Sequence, residues 1–83
     1  MRRLEIYILT ACVGAATAAE RADEARGWGI PDLVVELIDL AVHPTKRPGV
    51  VSSVPAFLLD GSILCRGNPT TDELRSLLTG ATR

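Results

Sequence analysis

Eighty-three residues with a net charge of −1 set narrow bounds. A chain of that length makes one domain, here 1–83, burying roughly 60% of its unfolded surface, enough for a small core but no deep enclosed pocket. Near-neutral charge and only three aromatic residues, Tyr7, Trp28 and Phe57, supply neither a field nor a stacking platform for nucleic acid.

The chain opens on "MRRLEIYILTACVGAATAAE", which imitates a secretory signal: two arginines, an apolar stretch, then small residues. Glu5 breaks the apolar run, and removing the segment would delete the best first strand. It is therefore expected to stay, and it is too short and mixed to span a bilayer. "RRLEIYIL" is rich in β-formers and almost continuously apolar from Ile6, as in a central strand covered on both faces.

From Gly14 to Arg26 the period becomes helical. Ala15, Ala18, Ala19 and Ala22 form a stripe of small side chains, with Thr17, Glu20, Arg21 and Glu24 facing away. Gly27 is the expected stop. After the turn at Gly29-Ile30-Pro31, "DLVVELIDL" reads as a second strand, which makes the opening a βαβ unit with parallel strands.

"AVHPTKRPG" reads as a loop with room for one short turn, and His43 as a solvated loop residue. Two cysteines and one histidine provide neither a disulfide framework nor a zinc pattern, which points to the cytoplasm and to a site without metal. In "VPAFLLDGSILCRG", two apolar runs flank Asp60-Gly61, a pair suited to a two-residue hairpin turn with positive φ at both positions. The last helix starts near Thr70 or Thr71. Thr70 and Glu73 have the spacing of a capping box, Leu74, Leu77 and Leu78 form the expected buried stripe, and Gly80 ends it.

This order, with "IYILTAC" entering an alanine helix, "LIDL", and "GVVSSVPAFLLDGSILCRGNPTTDELRSLL", resembles the thioredoxin fold in its minimal, glutaredoxin-sized form. The resemblance covers nearly the whole chain. It implies an α/β domain, β-α-β then β-β-α, with a four-stranded mixed sheet in order 2-1-3-4 and helices packed on it. It also implies that Val54-Pro55 matches the family's cis-proline, whose neighbouring backbone pairs with an extended substrate segment. Cys12 matches the first active-site cysteine. Exposed N–H groups and the positive end of a helix dipole favour the thiolate, the species that attacks a disulfide.

One departure limits what the resemblance implies. The family's Cys-x-x-Cys is here Cys12-Val13-Gly14-Ala15, and alanine cannot resolve a mixed disulfide. Cys65 would lie two strands from the first, about 10 Å away, beyond the roughly 7 Å Cα limit for a bridge. It is expected to be a small hydrophobe in the sheet. Single-thiol exchange through Cys12 with an external protein or small-molecule thiol is therefore the leading expectation, with Val54 and Pro55 shaping the groove and no cofactor required. Glutathione has little support: only Gly67 and Asp72 echo its usual site, and Thr10-Ala11 replaces the basic residue before the cysteine. The other expectation is a partner-binding module, as in the KaiB-type clock proteins, whose aspartate-then-proline stretch "LIDLAVHP" resembles. In that use, a shortened loop would expose Val50 and Val51 to a partner.

Overall fold

The computed structural model describes residues 2–80; Met1 and 81–83, which the single-domain expectation includes, lie outside them. The chain forms β1 (Arg2–Ile8), α1 (Ala15–Gly27), β2 (Leu33–Asp39), a 3₁₀ turn (Pro44–Lys46), β3 (Ala56–Leu59), β4 (Ser62–Arg66) and α2 (Thr71–Thr79). One sheet joins the strands in the order β2-β1-β3-β4. β1 runs parallel to β2 and antiparallel to β3, and β3 and β4 form an antiparallel hairpin. This is the α/β architecture and strand order expected from the sequence.

The strand alternation sorts the core into two clusters. Leu4, Ile6 and Ile8 of β1 and Phe57 of β3 pack on the helix side with Ala15, Ala18, Ala22, Ala25, Leu74 and Leu78. Tyr7, Ala56 and Leu58 point to the opposite side and are buried by Leu40 and Val51. The near-continuous apolar run in β1 is thereby explained. It lies between two strands, and Ile6, Tyr7 and Ile8 are all buried. Among the described residues, the segment between β2 and β3, and not an α-helix, covers the second face.

That segment corrects one expectation. Val51 is only 2% exposed, because it plugs the second cluster beside Tyr7 and Leu58, whereas Val50 is 49% exposed. Only Val50 of the expected pair faces solvent.

Two helix details also differ. In α1 the buried stripe is Ala15, Ala18, Ala22 and Ala25; Ala19 sits half-buried at its margin. Arg21 and Glu24 do not simply face water. Arg21 Nε donates to the Pro69 carbonyl at 2.9 Å, and Glu24 accepts from the Thr71 hydroxyl at 2.8 Å, so both tie α1 to the start of α2. Gly27 remains helical. Trp28 caps the helix, and Gly29 takes the left-handed conformation (φ 68°) that turns the chain toward β2.

The hairpin and α2 follow their local signals. Asp60 and Gly61 both have positive φ, 52° and 86°. The Thr70 hydroxyl accepts from Glu73 N–H, and the Glu73 carboxylate accepts from Thr70 N–H, completing the capping box. Gly80 ends the helix with φ 72°. Leu77 departs from its expected burial. It is 37% exposed, because over nine residues only the i, i+4 pair Leu74 and Leu78 reaches the sheet.

The alanine stripe sets how closely α1 sits on the sheet. Ala22→Leu should destabilise the domain by about 1–3 kcal/mol in urea unfolding, through overpacking. Thr70→Ala should cost about 1 kcal/mol with an unchanged m-value, since it removes one cap and no core contact.

Candidate functional site at the carboxyl end of β1

Parallel β1 and β2 end together, and β3 begins beside them, so three loops meet at one end of the sheet: 9–14, 40–55 and 67–70. The three residues singled out in the sequence all lie in these loops. Cys12 is exposed, in the turn before α1. Its N–H donates to the Leu9 carbonyl at 2.9 Å, and its carbonyl accepts from Ala15 N–H at 3.3 Å. Val54 is half-buried against the second cluster, and the Val54-Pro55 bond is cis.

Gly14 brings these loops together. It is the N-cap of α1, with φ 94°. A Cβ at this position would stand 3.0 Å from Asn68 Nδ2 and 3.7 Å from the Pro55 ring. Glycine is needed here on both counts, left-handed backbone and lack of room. Asn68 Nδ2 donates to the Gly14 carbonyl at 3.0 Å, and Gly67 N–H donates to the Pro55 carbonyl at 2.9 Å. Pro55 is thus held between the Cys12 turn and the loop leading to α2.

The end of β2 anchors the Cys12 turn from the other side. The Thr10 hydroxyl donates to the Asp39 carboxylate, whose second oxygen accepts from Ala41 N–H at 3.0 Å. The Thr10 hydrogen bond, followed by that of Ala41, holds the Asp39 carboxyl below the usual aspartate value. Asp39 and Asn68 were not identified as site residues from the sequence. Their signals are faint: an aspartate closing a strand, and an Asn-Pro pair that reads as an ordinary turn.

Among the described residues, no side chain caps the amino end of α1, whose N-cap is Gly14 and whose first turn contains no acidic residue. Among the described residues, the backbone N–H groups of Ala16 and Thr17 have no partner. The positive end of the helix thus opens toward the turn that contains Cys12. Ala15, at the position a second thiol would occupy, is buried in the helix-side core.

Cys65 occupies β4 opposite Phe57 and packs against the helix-side cluster, two strands from β1. Burial, with a smaller contribution from nearby Glu73, pushes its thiol above the ordinary value. The two cysteines are free and sit in opposite settings, one exposed and one packed. His43 is an exposed loop residue. Among the described residues, no three His, Cys, Asp or Glu side chains gather as a metal site, and no helix is long and apolar enough to cross a membrane.

Beside Val54 lies a cavity of about 300 Å³, lined by Leu9, Leu40, Pro44, Arg47, Ser52, Ser53 and Val54. It is continuous with the second core cluster through Leu40, Leu9 and Val54.

No protein-family model matches the chain, and no curated protein matches it.

The Asp39 anchor has a defined pH signature. A carboxyl whose folded pKa lies below its unfolded value stabilises the fold fully above the unfolded value, and the benefit is lost as pH falls through the folded one. The Thr10 and Ala41 amide resonances should therefore titrate together with a midpoint below about 3.8, the ordinary aspartate value. Asp39→Asn should abolish that transition. A midpoint at or above 3.8 would show that the carboxylate is not held as described.

Proposed function

We propose that this is a thioredoxin-like protein that exchanges disulfides through the single thiol of Cys12. The observation that carries the reading is an exposed cysteine in the turn before a helix whose amino end is uncapped by any side chain. An exposed sulfur is open to an incoming disulfide, and the thiolate is the attacking species in such exchange. Val54 and Pro55 form the wall of the groove that receives the substrate, and Gly14 sets their spacing from the turn.

The chemistry takes two displacements. The Cys12 thiolate attacks one sulfur of an external disulfide, forming a new S–S bond, and the other sulfur departs as thiolate and takes up a proton. An external thiolate then attacks the external sulfur of this mixed disulfide. That second step releases Cys12 as thiolate and forms a disulfide between the two external sulfurs. Cys65 has no part in it, since it is packed in β4 with its thiol pKa raised. The reading places the protein in the cytoplasm, where a pool of reduced thiols supplies the second step.

The partner-binding use of the same fold draws on a different observation. Val13 is 98% exposed, and Val42 and Val50 are also exposed at this end of the sheet. In that use, capture of a partner would be independent of the Cys12 sulfur.

Intact-mass analysis after brief exposure to cystamine near neutral pH separates the two. The exchange reading expects one adduct, absent from Cys12→Ser and retained in Cys65→Ser, forming at least about tenfold faster at Cys12 than at Cys65. Equal labelling of both thiols, or none at Cys12, would discard the exchange reading. A partner retained undiminished by Cys12→Ser would then favour the binding use.

A further inference from the structure

We infer that the cavity beside Val54 is a carboxylate-reading subsite, and that its occupant is an acidic peptide segment carrying an apolar side chain next to a glutamate or aspartate. The inference rests on the reading of Val54 and Pro55 as a groove wall, and it adds Arg47, Ser52 and Ser53, which that reading does not use.

The argument begins with Arg47. Its Nε donates to the Val51 carbonyl at 2.7 Å. Val51 is buried in the second core cluster, so this bond ties the exposed Arg47 side chain to the core at the edge of the cavity. Among the described residues, no hydrogen bond or ion pair engages its two terminal nitrogens. An arginine fork with one nitrogen engaged and two free suits a planar carboxylate, and the Val51 bond already restricts the side chain.

Ser52 and Ser53 line the same cavity, and neither hydroxyl has a protein partner among the described residues. Among the described residues, the backbone of residues 52–54 likewise has no hydrogen-bond partner. Free donors of three kinds therefore border one space, with Leu9, Leu40, Pro44 and Val54 supplying the apolar remainder. Lys46 is exposed in the adjacent turn and forms no ion pair among the described residues, which adds positive charge on that side. Asp39, the acidic side chain closing β2, is already occupied by Thr10 and Ala41.

Size and composition select the occupant. A space of about 300 Å³ is at the lower end of ligand pockets and holds one or two side chains, not a nucleotide-sized cofactor. The apolar portion is wasted on a free inorganic anion, and the open main-chain groups of residues 52–54 are wasted on a small acid. A peptide uses all three features. Its carboxylate meets Arg47, its apolar side chain meets Leu9, Leu40 and Val54, and its backbone meets residues 52–54.

The test uses Cys12→Ser protein and peptides without thiols, so it reads binding independently of exchange. Backbone amide NMR would follow titration with an acetylated, amidated hexapeptide of glycine and serine that contains one Leu-Glu pair. The expected result is saturable shifts at Ser52, Ser53 and Val54, with affinity about tenfold weaker for the Leu-Gln analogue and for Arg47→Gln. Ser52→Ala/Ser53→Ala should also weaken binding while leaving the thermal midpoint unchanged, which separates loss of contact from loss of fold. Equal affinity for the Glu and Gln peptides would overturn the inference. So would shifts confined to other surfaces, or free glutamate or inorganic phosphate binding as tightly as the peptide. If the peptide binds as expected and cystamine leaves Cys12 unlabelled, the subsite stands and the exchange reading falls.

Discussion

The close approach at Gly14 is the constraint on which the arrangement of the loops at this end of the sheet depends. Its backbone has φ 94° and its carbonyl accepts from the Asn68 amide, and a Cβ there would stand 3.0 Å from Asn68 Nδ2 and 3.7 Å from the Pro55 ring, so any other residue is strained at this position. Its consequence is positional. α1 starts at Ala15 with its amino end aimed at the turn holding Cys12, and that turn is pinned against the start of β3. The asparagine and the Gly67–Pro55 bond hold one side, and the Asp39–Thr10 pair holds the other. The small-residue stripe beneath α1 lets the helix lie low enough on the sheet for its first turn to reach this junction.

The two faces of the sheet divide the work. The helix side carries most of the apolar burial, and Phe57, Leu4 and Ile6 are completely enclosed there. On the other side, a connector with one 3₁₀ turn closes the face with two side chains, Leu40 and Val51. Economy of cover on that face leaves a cavity where the connector meets the ends of β1 and β2. The same stretch, "HPTKRPGVVSS", therefore completes the core, borders the groove and presents Arg47. A loop with these tasks is where function concentrates on a rigid scaffold.

Much of the fold was legible because local chemistry and tertiary need coincide. Asp60-Gly61, the Thr70–Glu73 box and Gly80 each specify a backbone conformation with no outside help, and each takes it. The near-continuous apolar run placed β1 inside the sheet, whereas the order of the four strands was implied by the resemblance. What failed depends on long-range packing. Val51 and Val50 are adjacent valines in a loop, and only the position of Tyr7 and Leu58 decides which is buried. Leu77 belongs to the correct helical stripe but borders an open surface pocket beside Cys65, Pro69 and Glu73. Arg21 and Glu24 read as solvent-facing until α2 is brought beside them. Cys12, Val54 and Pro55 could be named from the sequence. Asp39, Asn68 and Arg47 could not, since each acts through a partner far along the chain or through a backbone carbonyl that no side-chain pattern reveals.

The most direct measurement is the rate at which Cys12 attacks a peptide disulfide in Gly14→Ala protein compared with the parent chain, with Cys65 replaced by serine in both. A methyl group at residue 14 forces either the left-handed backbone or the Asn68 contact to give way, a strain of order 1–3 kcal/mol, so the account predicts a rate reduced about tenfold with the secondary structure retained. An unchanged rate would contradict it, because the thiol's reactivity would then owe nothing to the junction that positions it.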